Sequence, residues 1–219
     1  MEFQSLAQGG MGVRMAALGS FATNCYVIKC LKTGQGAIID SSAQGEVIDR
    51  MVAHDGGVKV GQLLQTHAHV DHVAALNHTY KTYKAPIALH AADGMLYKAA
   101  PLQGGMFGIM IAPLPTPEVE LKEGDEVTVG ELRAKVLWTP GHTPGSVCFY
   151  FEAQKVLFAG DVLFAGSIGR TDLPGGNMKE MMKSLARLVT LPDDTLVLSG
   201  HGPETTIGRE KRTNPFLTR

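Results

Sequence analysis

Apolar and polar positions along this chain alternate in short runs, switch to a spacing of three and four, then alternate again. Strand-like runs fall at Val13–Leu18, Cys25–Lys29, Ala37–Asp40 and Leu63–Thr66, the last within a longer extended stretch from Val58. Thr33-Gly34-Gln35-Gly36 separates the second and third runs and predicts a hairpin turn. Val47, Ile48, Met51 and Val52 have helical spacing, which predicts a helix over Glu46–His54 with Ser41 or Ser42 as its cap. A second helix is expected to open at Asp71 and run to about Lys84, with Val73, Leu76 and Tyr80 inward. The second half repeats this order. Strands are predicted at Val127–Val129, Leu132–Thr139, Ser146–Phe151 and Lys155–Ala159, followed by a helix over Met178–Val189 and a strand over Thr195–Leu198. Helices alternating with strands predict an α/β layered fold. Between the halves, Ala100–Pro117 mixes Gly104, Gly105, Gly108 and four prolines with Met106, Phe107, Met110 and Ile111. It reads as a long irregular loop, which is uncommon unless functional. An active-site flank, a subunit contact and ordinary packing on the sheet are all open for it.

Composition narrows the picture. With 219 residues, 44% of them hydrophobic and 19% charged, the chain can bury one sizeable core, whereas two domains would each be small. A net charge of −1 without a basic stripe makes nucleic acid an unexpected partner. Arg209, Lys211 and Arg212 are interrupted by Glu210 and read as a solvated helix end. Met1–Gly12 shows no secretory signal, and no apolar run approaches membrane-spanning length, so a cytoplasmic location is expected. Cys25, Cys30 and Cys148 lie in strand-like runs and are expected as buried free thiols. Cys25 and Cys30, five apart on one strand, would face opposite sides and are not expected to pair.

The candidate chemistry is concentrated in His67-Ala68-His69-Val70-Asp71-His72. His67 and His69 are two apart in an extended segment, so they project the same way and can share one metal. Asp71 and His72 follow where the chain must turn and can reach a second ion. Imidazole and carboxylate suit zinc, iron or manganese. Eight His in 219 residues rarely place three within six positions, which argues against a chance cluster on a surface loop. Three further ligand-type residues lie just past strand ends beside glycine: His142 in Pro140-Gly141-His142-Thr143-Pro144-Gly145, Asp161 after Gly160, and His201 in Ser199-Gly200-His201-Gly202. His54, His78 and His90 fall in helix or strand-end contexts and are expected to be solvated or locally hydrogen-bonded.

The ordered set His67-x-His69-x-Asp71-His72, His142, Asp161, His201 resembles that of the metallo-β-lactamase-fold hydrolases over nearly the whole chain. Within them the sequence looks most like the short glyoxalase II-like proteins. The markers are Thr23-Asn24-Cys25-Tyr26, the segment from Gly169 to Gly176, and the tail from Thr206 to Phe216. The resemblance implies a four-layer αββα sandwich, one domain over residues 1–219, and two divalent metal ions, zinc first with iron or manganese open. It places His67, His69 and His142 on one ion, Asp71, His72 and His201 on the other, and Asp161 between them. Two such ions lower the pKa of a shared water from ~16 to near ~7. Asp71 would orient that nucleophile and carry a proton, as the catalytic residue. His69 stands where flavodiiron-type relatives carry Glu.

The implied activity is hydrolysis of a small-molecule thioester such as S-lactoylglutathione. The chain ends soon after His201, so the C-terminal helical region with which larger glyoxalase II enzymes bind glutathione is expected to be missing. Arg170 is followed by Thr171 and Asp172 rather than by aromatics, and it is a candidate to grip a substrate carboxylate or to pair with Asp172. Gly169-Arg170-Thr171-Asp172 also occurs in persulfide dioxygenases, relatives that use a single iron, which makes that reaction the main rival. Lactonase or β-lactamase activity has weaker support. A non-enzymatic binding module with structural metals is the reading from another class.

Overall fold

The computed structural model describes residues 3–218. A first sheet holds seven strands in chain order: β1 (Gln4–Gln8), β2 (Met11–Leu18), β3 (Thr23–Cys30), β4 (Gln35–Ile39), β5 (Lys59–Leu64), β6 (Ile87–His90) and β7 (Val119–Leu121). The first four form an antiparallel meander, and β4 to β7 run parallel. Parallel neighbours need crossovers, and helices supply them. These are α1 (Gly45–Ala53), α2 (Val70–Val73), α3 (Leu76–Tyr83), α4 (Gly94–Lys98) and α5 (Ala100–Met106).

The second sheet contains β8 (Glu126–Val129), β9 (Leu132–Trp138), β10 (Val147–Phe151) and β11 (Val156–Gly160). A small hairpin, β12 (Leu163–Phe164) with β13 (Ser167–Ile168), precedes α6 (Met178–Leu188), β14 (Leu196–Ser199), β15 (Thr205–Thr206) and α7 (Ile207–Thr213). Its strand order is β15-β14-β11-β10-β9-β8.

Side-chain alternation on the strands builds three apolar layers. Tyr26, Ile28, Ile39 and Leu64 of the first sheet meet Val136, Phe149, Phe151 and Phe158 of the second. The opposite faces of the same strands serve the outer layers. Cys25, Val27 and Ile38 pack against Ile48, Met51 and Leu76 from the helices beside the first sheet. Cys148, Leu157 and Val197 pack against Met181, Leu185 and Ile207 beside the second. The result is helix, sheet, sheet, helix: the αββα sandwich. All three cysteines are buried and free, and Cys25 and Cys30 do face opposite layers.

Several local expectations are corrected. The helix expected over Asp71–Lys84 is two helices, α2 and α3, because Ala75 N donates to the Ser41 carbonyl and the first turn aims at the site. Neither Ser41 nor Ser42 caps α1: Gln44 precedes it in a left-handed conformation, Ser41 bonds Thr79, and Ser42 bonds the Thr23 carbonyl. The stretch Ala100–Pro117 is not wholly irregular, since α5 occupies its start with Pro101 in the first turn. Strands β1, β6 and β7 had no counterpart in the pattern reading.

Candidate metal centre

All seven ligand-type residues gather where the two sheets open at one end. Thr66 to His72 follow β5, His142 sits between β9 and β10, Asp161 follows β11, and His201 follows β14. The C-terminal ends of strands are where an open α/β sheet leaves a crevice. His67 Nε2 lies 3.1 Å from His69 Nδ1, which is 2.7 Å from His142 Nε2. On the other side, Asp71 Oδ2 lies 3.5 Å from His72 Nε2 and 3.3 Å from His201 Nε2. Asp161 spans both groups. Its Oδ1 is 3.4 Å from His72 Nε2, while Oδ2 is 3.5 Å from His142 Nε2 and 3.4 Å from His201 Nε2. The ligand atoms form three overlapping sets within 4.8 Å: His67/His69/His142, His67/His72/Asp161 and Asp71/His72/His201.

Oxygen acceptors fix the outward nitrogens and so aim the inward ones. His72 Nδ1 donates to Asp40 Oδ2 at 2.9 Å, His142 Nδ1 to the Arg170 carbonyl at 2.8 Å, and His201 Nδ1 to the Phe21 carbonyl at 3.2 Å. The Thr66 hydroxyl gives its proton to Asp40 Oδ2 at 2.7 Å, so His67 Nδ1 donates to Thr66 Oγ1 at 3.1 Å.

Charge divides the cluster. Burial, followed by the His72 charge, pushes His67 well below its ordinary pKa, and burial with the His142 charge takes His69 down to about 3. Burial opposes charge on His72 too, but Asp71, Asp161 and Asp40 outweigh it and raise that pKa well above the usual value. His201 rises to about 9, its burial outweighed by hydrogen bonds to Asp161 and Asp71. Burial would raise Asp71 and Asp161, yet the His72 charge and the His201 hydrogen bond hold both carboxyls below the ordinary range.

These residues fit a pair of cations. His72 Nε2 and Asp161 Oδ1 are buried with no hydrogen-bond partner, a costly arrangement that a cation between them relieves. A Cβ at Gly200 would lie 2.1 Å from Asp161 Oδ1 and 2.7 Å from His72 Cε1, so only glycine lets the chain pass this close. The nitrogen and carboxylate donors suit zinc, iron or manganese.

Residues 18–201 match the metallo-beta-lactamase superfamily. The chain belongs to that superfamily. The probable metallo-hydrolase YqgX of Bacillus subtilis (strain 168) is 40% identical over 208 residues, 93% of this chain and 96% of that protein. The hydroxyacylglutathione hydrolase GloC of Haemophilus influenzae (strain ATCC 51907 / DSM 11121 / KW20 / Rd) is 36% identical over 211 residues, 94% of this chain and 98% of its own. A crystal structure of TTHA1623 in a di-iron-bound form superimposes with a TM-score of 0.84 at 38% identity, covering 93% of this chain and 99% of that one.

Within this superfamily frame, three residues hold the ligands in place, and none of them was expected in that role, although Thr23 stood in a family marker. Asp40 directly follows β4, accepts from Thr66 N at 2.8 Å, and ties that backbone to His72. Thr23 Oγ1 donates to Asp71 Oδ2 at 2.7 Å. Buried Asp93 accepts from Ala68 N at 2.9 Å, Thr143 Oγ1 at 2.8 Å and Gly145 N at 2.6 Å, joining the loop of His67 and His69 to that of His142. A polar residue directly after an apolar strand was the available signal for Asp40; Asp93 carried none, because β6 before it went unrecognised.

The remaining histidines lie elsewhere. His78 Nε2 bonds Asp49 at 2.8 Å, His90 Nδ1 accepts from Ala92 N and its ring stacks on Trp138, and His54 packs edge-on against Phe3. Arg170 lines the pocket above the cluster, with its guanidinium on Asp172: Nε to Oδ1 at 2.8 Å and a terminal nitrogen to Oδ2 at 2.7 Å.

Proposed function

We propose that this protein is a metal-dependent hydrolase of thioesters, of the glyoxalase II type, using two divalent ions with zinc as the first expectation. One observation carries the reading. Asp161 lies between two histidine groups, and five ligand-type residues, His69, Asp71, His142, Asp161 and His201, form the floor of a pocket of about 410 Å³. The names of the YqgX and GloC relatives support it.

When bound, the ions supply Lewis acidity that makes water nucleophilic at neutral pH and polarises a carbonyl oxygen. The chain's own residues do the rest. His67, His69 and His142 would hold one ion, Asp71, His72 and His201 the other, with Asp161 reaching both. Asp71 lies beside His72 and His201 and is oriented by Thr23, so it would take one proton from the attacking water. As the C–S bond breaks, that proton passes to the departing thiolate, and the products are a carboxylic acid and a thiol.

The test is turnover of S-lactoylglutathione and of simple acyl thioesters by zinc- and iron-loaded protein, following thiol release. Thiol release that disappears on chelation supports the reading. Oxygen consumption with glutathione persulfide, with no thioester cleaved, would replace it by the dioxygenase reaction.

A further inference from the structure

The pocket above the cluster has walls of an unexpected kind for a charged tripeptide thioester. Phe21, Leu96, Met106, Phe107, Leu173 and Pro174 line it. Phe21, from the β2–β3 turn, and Phe107, at the end of α5, meet edge to face with ring centroids 5.4 Å apart. Both rings stay partly in solvent, and Met106 is 77% exposed at the same rim. Apolar side chains left open beside a reactive centre mark a binding surface.

The polar groups on these walls are few and already partly engaged. Among the described residues lining the pocket, Gln103 and Arg170 are the polar side chains outside the His/Asp cluster. Gln103 Nε2 donates to the Leu96 carbonyl at 2.9 Å. Arg170 is held bidentate by Asp172, so its charge is already matched. Glutathione carries two carboxylates and an ammonium group. Laid on these walls, those three charges would lose water against a mostly hydrocarbon surface, with only the Gln103 amide and the remaining Arg170 N–H groups to meet them outside the cluster, which is unfavourable.

We infer that the pocket is built for an apolar arm: the preferred substrates are thioesters in which one side of the scissile carbonyl is a hydrocarbon chain or ring. This rests on the thioesterase reading and names its substrate class. Each fully buried methylene is worth up to about fourfold in affinity. A rim this open captures less, so a tenfold gain or more is expected between two carbons and eight.

Two thioester series on the metal-loaded protein test the inference and locate the arm. One varies the acyl group on N-acetylcysteamine from acetyl to octanoyl; the other varies the thiol of an acetyl ester from ethanethiol to octanethiol. The inference expects kcat/KM to climb at least tenfold along one series, and the longest member of that series to surpass S-lactoylglutathione. It expects Phe107→Ser to flatten the climb, and Met95→Ser, exposed on α4 and not among the residues lining the pocket, to preserve it. Flat profiles in both series, S-lactoylglutathione as the best substrate, or a climb unaltered by Phe107→Ser would overturn it while leaving the thioesterase reading intact. If no thioester is cleaved, the thioesterase reading falls, and calorimetric titration with the product types decides the pocket. Affinity that rises with chain length for fatty carboxylates or alkanethiols sustains an apolar site; equal affinities at all lengths in both sets sink it.

Discussion

Asp71 and Asp161 share the neighbours His72 and His201 but are placed differently. Asp161 faces histidines of both groups, whereas Asp71 takes the Thr23 hydroxyl and has the more open side chain, 17% exposed against 10%. Asp161→Ala should therefore lower metal content and activity together. Asp71→Asn can still coordinate through its amide oxygen but cannot carry a proton, so activity should fall further than metal content. Elemental analysis beside kinetics checks this, and parallel losses in both variants would reduce Asp71 to a ligand. The split in histidine protonation makes a second prediction. His67 and His69 are already neutral near pH 7, whereas His72 and His201 hold protons in the metal-free protein. Binding at His67 and His69 should release few protons and binding at His72 and His201 about two, with second-site affinity rising as pH climbs through about 9. For the metal-free fold the signs run in opposite directions. The raised pKa values of His72 and His201 stabilise it fully below about pH 6.5, and the His201 share is lost as pH climbs through about 9. The lowered values of His67 and His69 weaken it as pH drops below about 6.5, where the unfolded chain takes up protons that they refuse. Calorimetry in buffers of different ionisation enthalpy reads the proton count; equal release from the two sites contradicts the division.

Two elements hold the two halves of the cluster. Strand β3 grips the His201 loop: Asn24 Nδ2 donates to the carbonyls of Ser199 and Gly202, and Tyr26 OH to that of Ser199 at 2.6 Å. Tyr26→Phe should cost about 1–2 kcal/mol and lower occupancy of the second ion ahead of the first. Asp93, just past β6, fastens the loops around the first. Asp93→Ala strands the backbone N–H groups of Ala68 and Gly145 and leaves the Thr143 hydroxyl only Ser146 Oγ, so about 3 kcal/mol or more should be lost, with the first ion weakened ahead of the second. Urea unfolding with metal analysis tests both; the same order of loss in the two variants would show that neither contact is site-selective. The Thr23–Tyr26 marker was thus readable as a motif before its work as a clamp was visible. Regular elements were legible where one face is apolar at the right period, as in α1, α6, β8 and β9, or where a short run is apolar throughout, as in β11. Strands β6 and β7 were not, being four and three residues long, too short for a period. Helix α5 hid behind Pro101, harmless in a first turn, and Gly104, where a Cβ would meet the Ile109 carbonyl oxygen at 2.3 Å. Both residues argued for a loop, and only the returning chain explains the glycine.

At the scale of the whole molecule the ligands come from both sheets. His67, His69, Asp71 and His72 follow β5 of the first, whereas His142, Asp161 and His201 follow strands of the second. The layers between them were not legible from periodicity, because an apolar strand buried on both faces looks the same wherever it lies. The ligand order was legible because His67, His69, Asp71 and His72 crowd into six residues and His142, Asp161 and His201 each lie just past a strand beside a glycine. Under the two-ion reading each ion would tie the sheets together through His142, Asp161 or His201, and no such tie exists in an unfolded chain. Binding at a hundredfold excess over Kd therefore adds about 2.7 kcal/mol per ion. Two ions add about twice that, and for a chain of this size 1 kcal/mol moves Tm by about 2–4 °C. Loaded protein should accordingly melt about 10–20 °C above protein stripped with a chelator. His201→Ala should keep roughly half of that difference, since His67, His69 and His142 remain. The measurement is calorimetric melting of both proteins, each with its metal content determined on the same sample. A wild type holding at most one ion when fully loaded, or a melting point unmoved by verified metal removal, would sink the picture of two ions bridging the sheets.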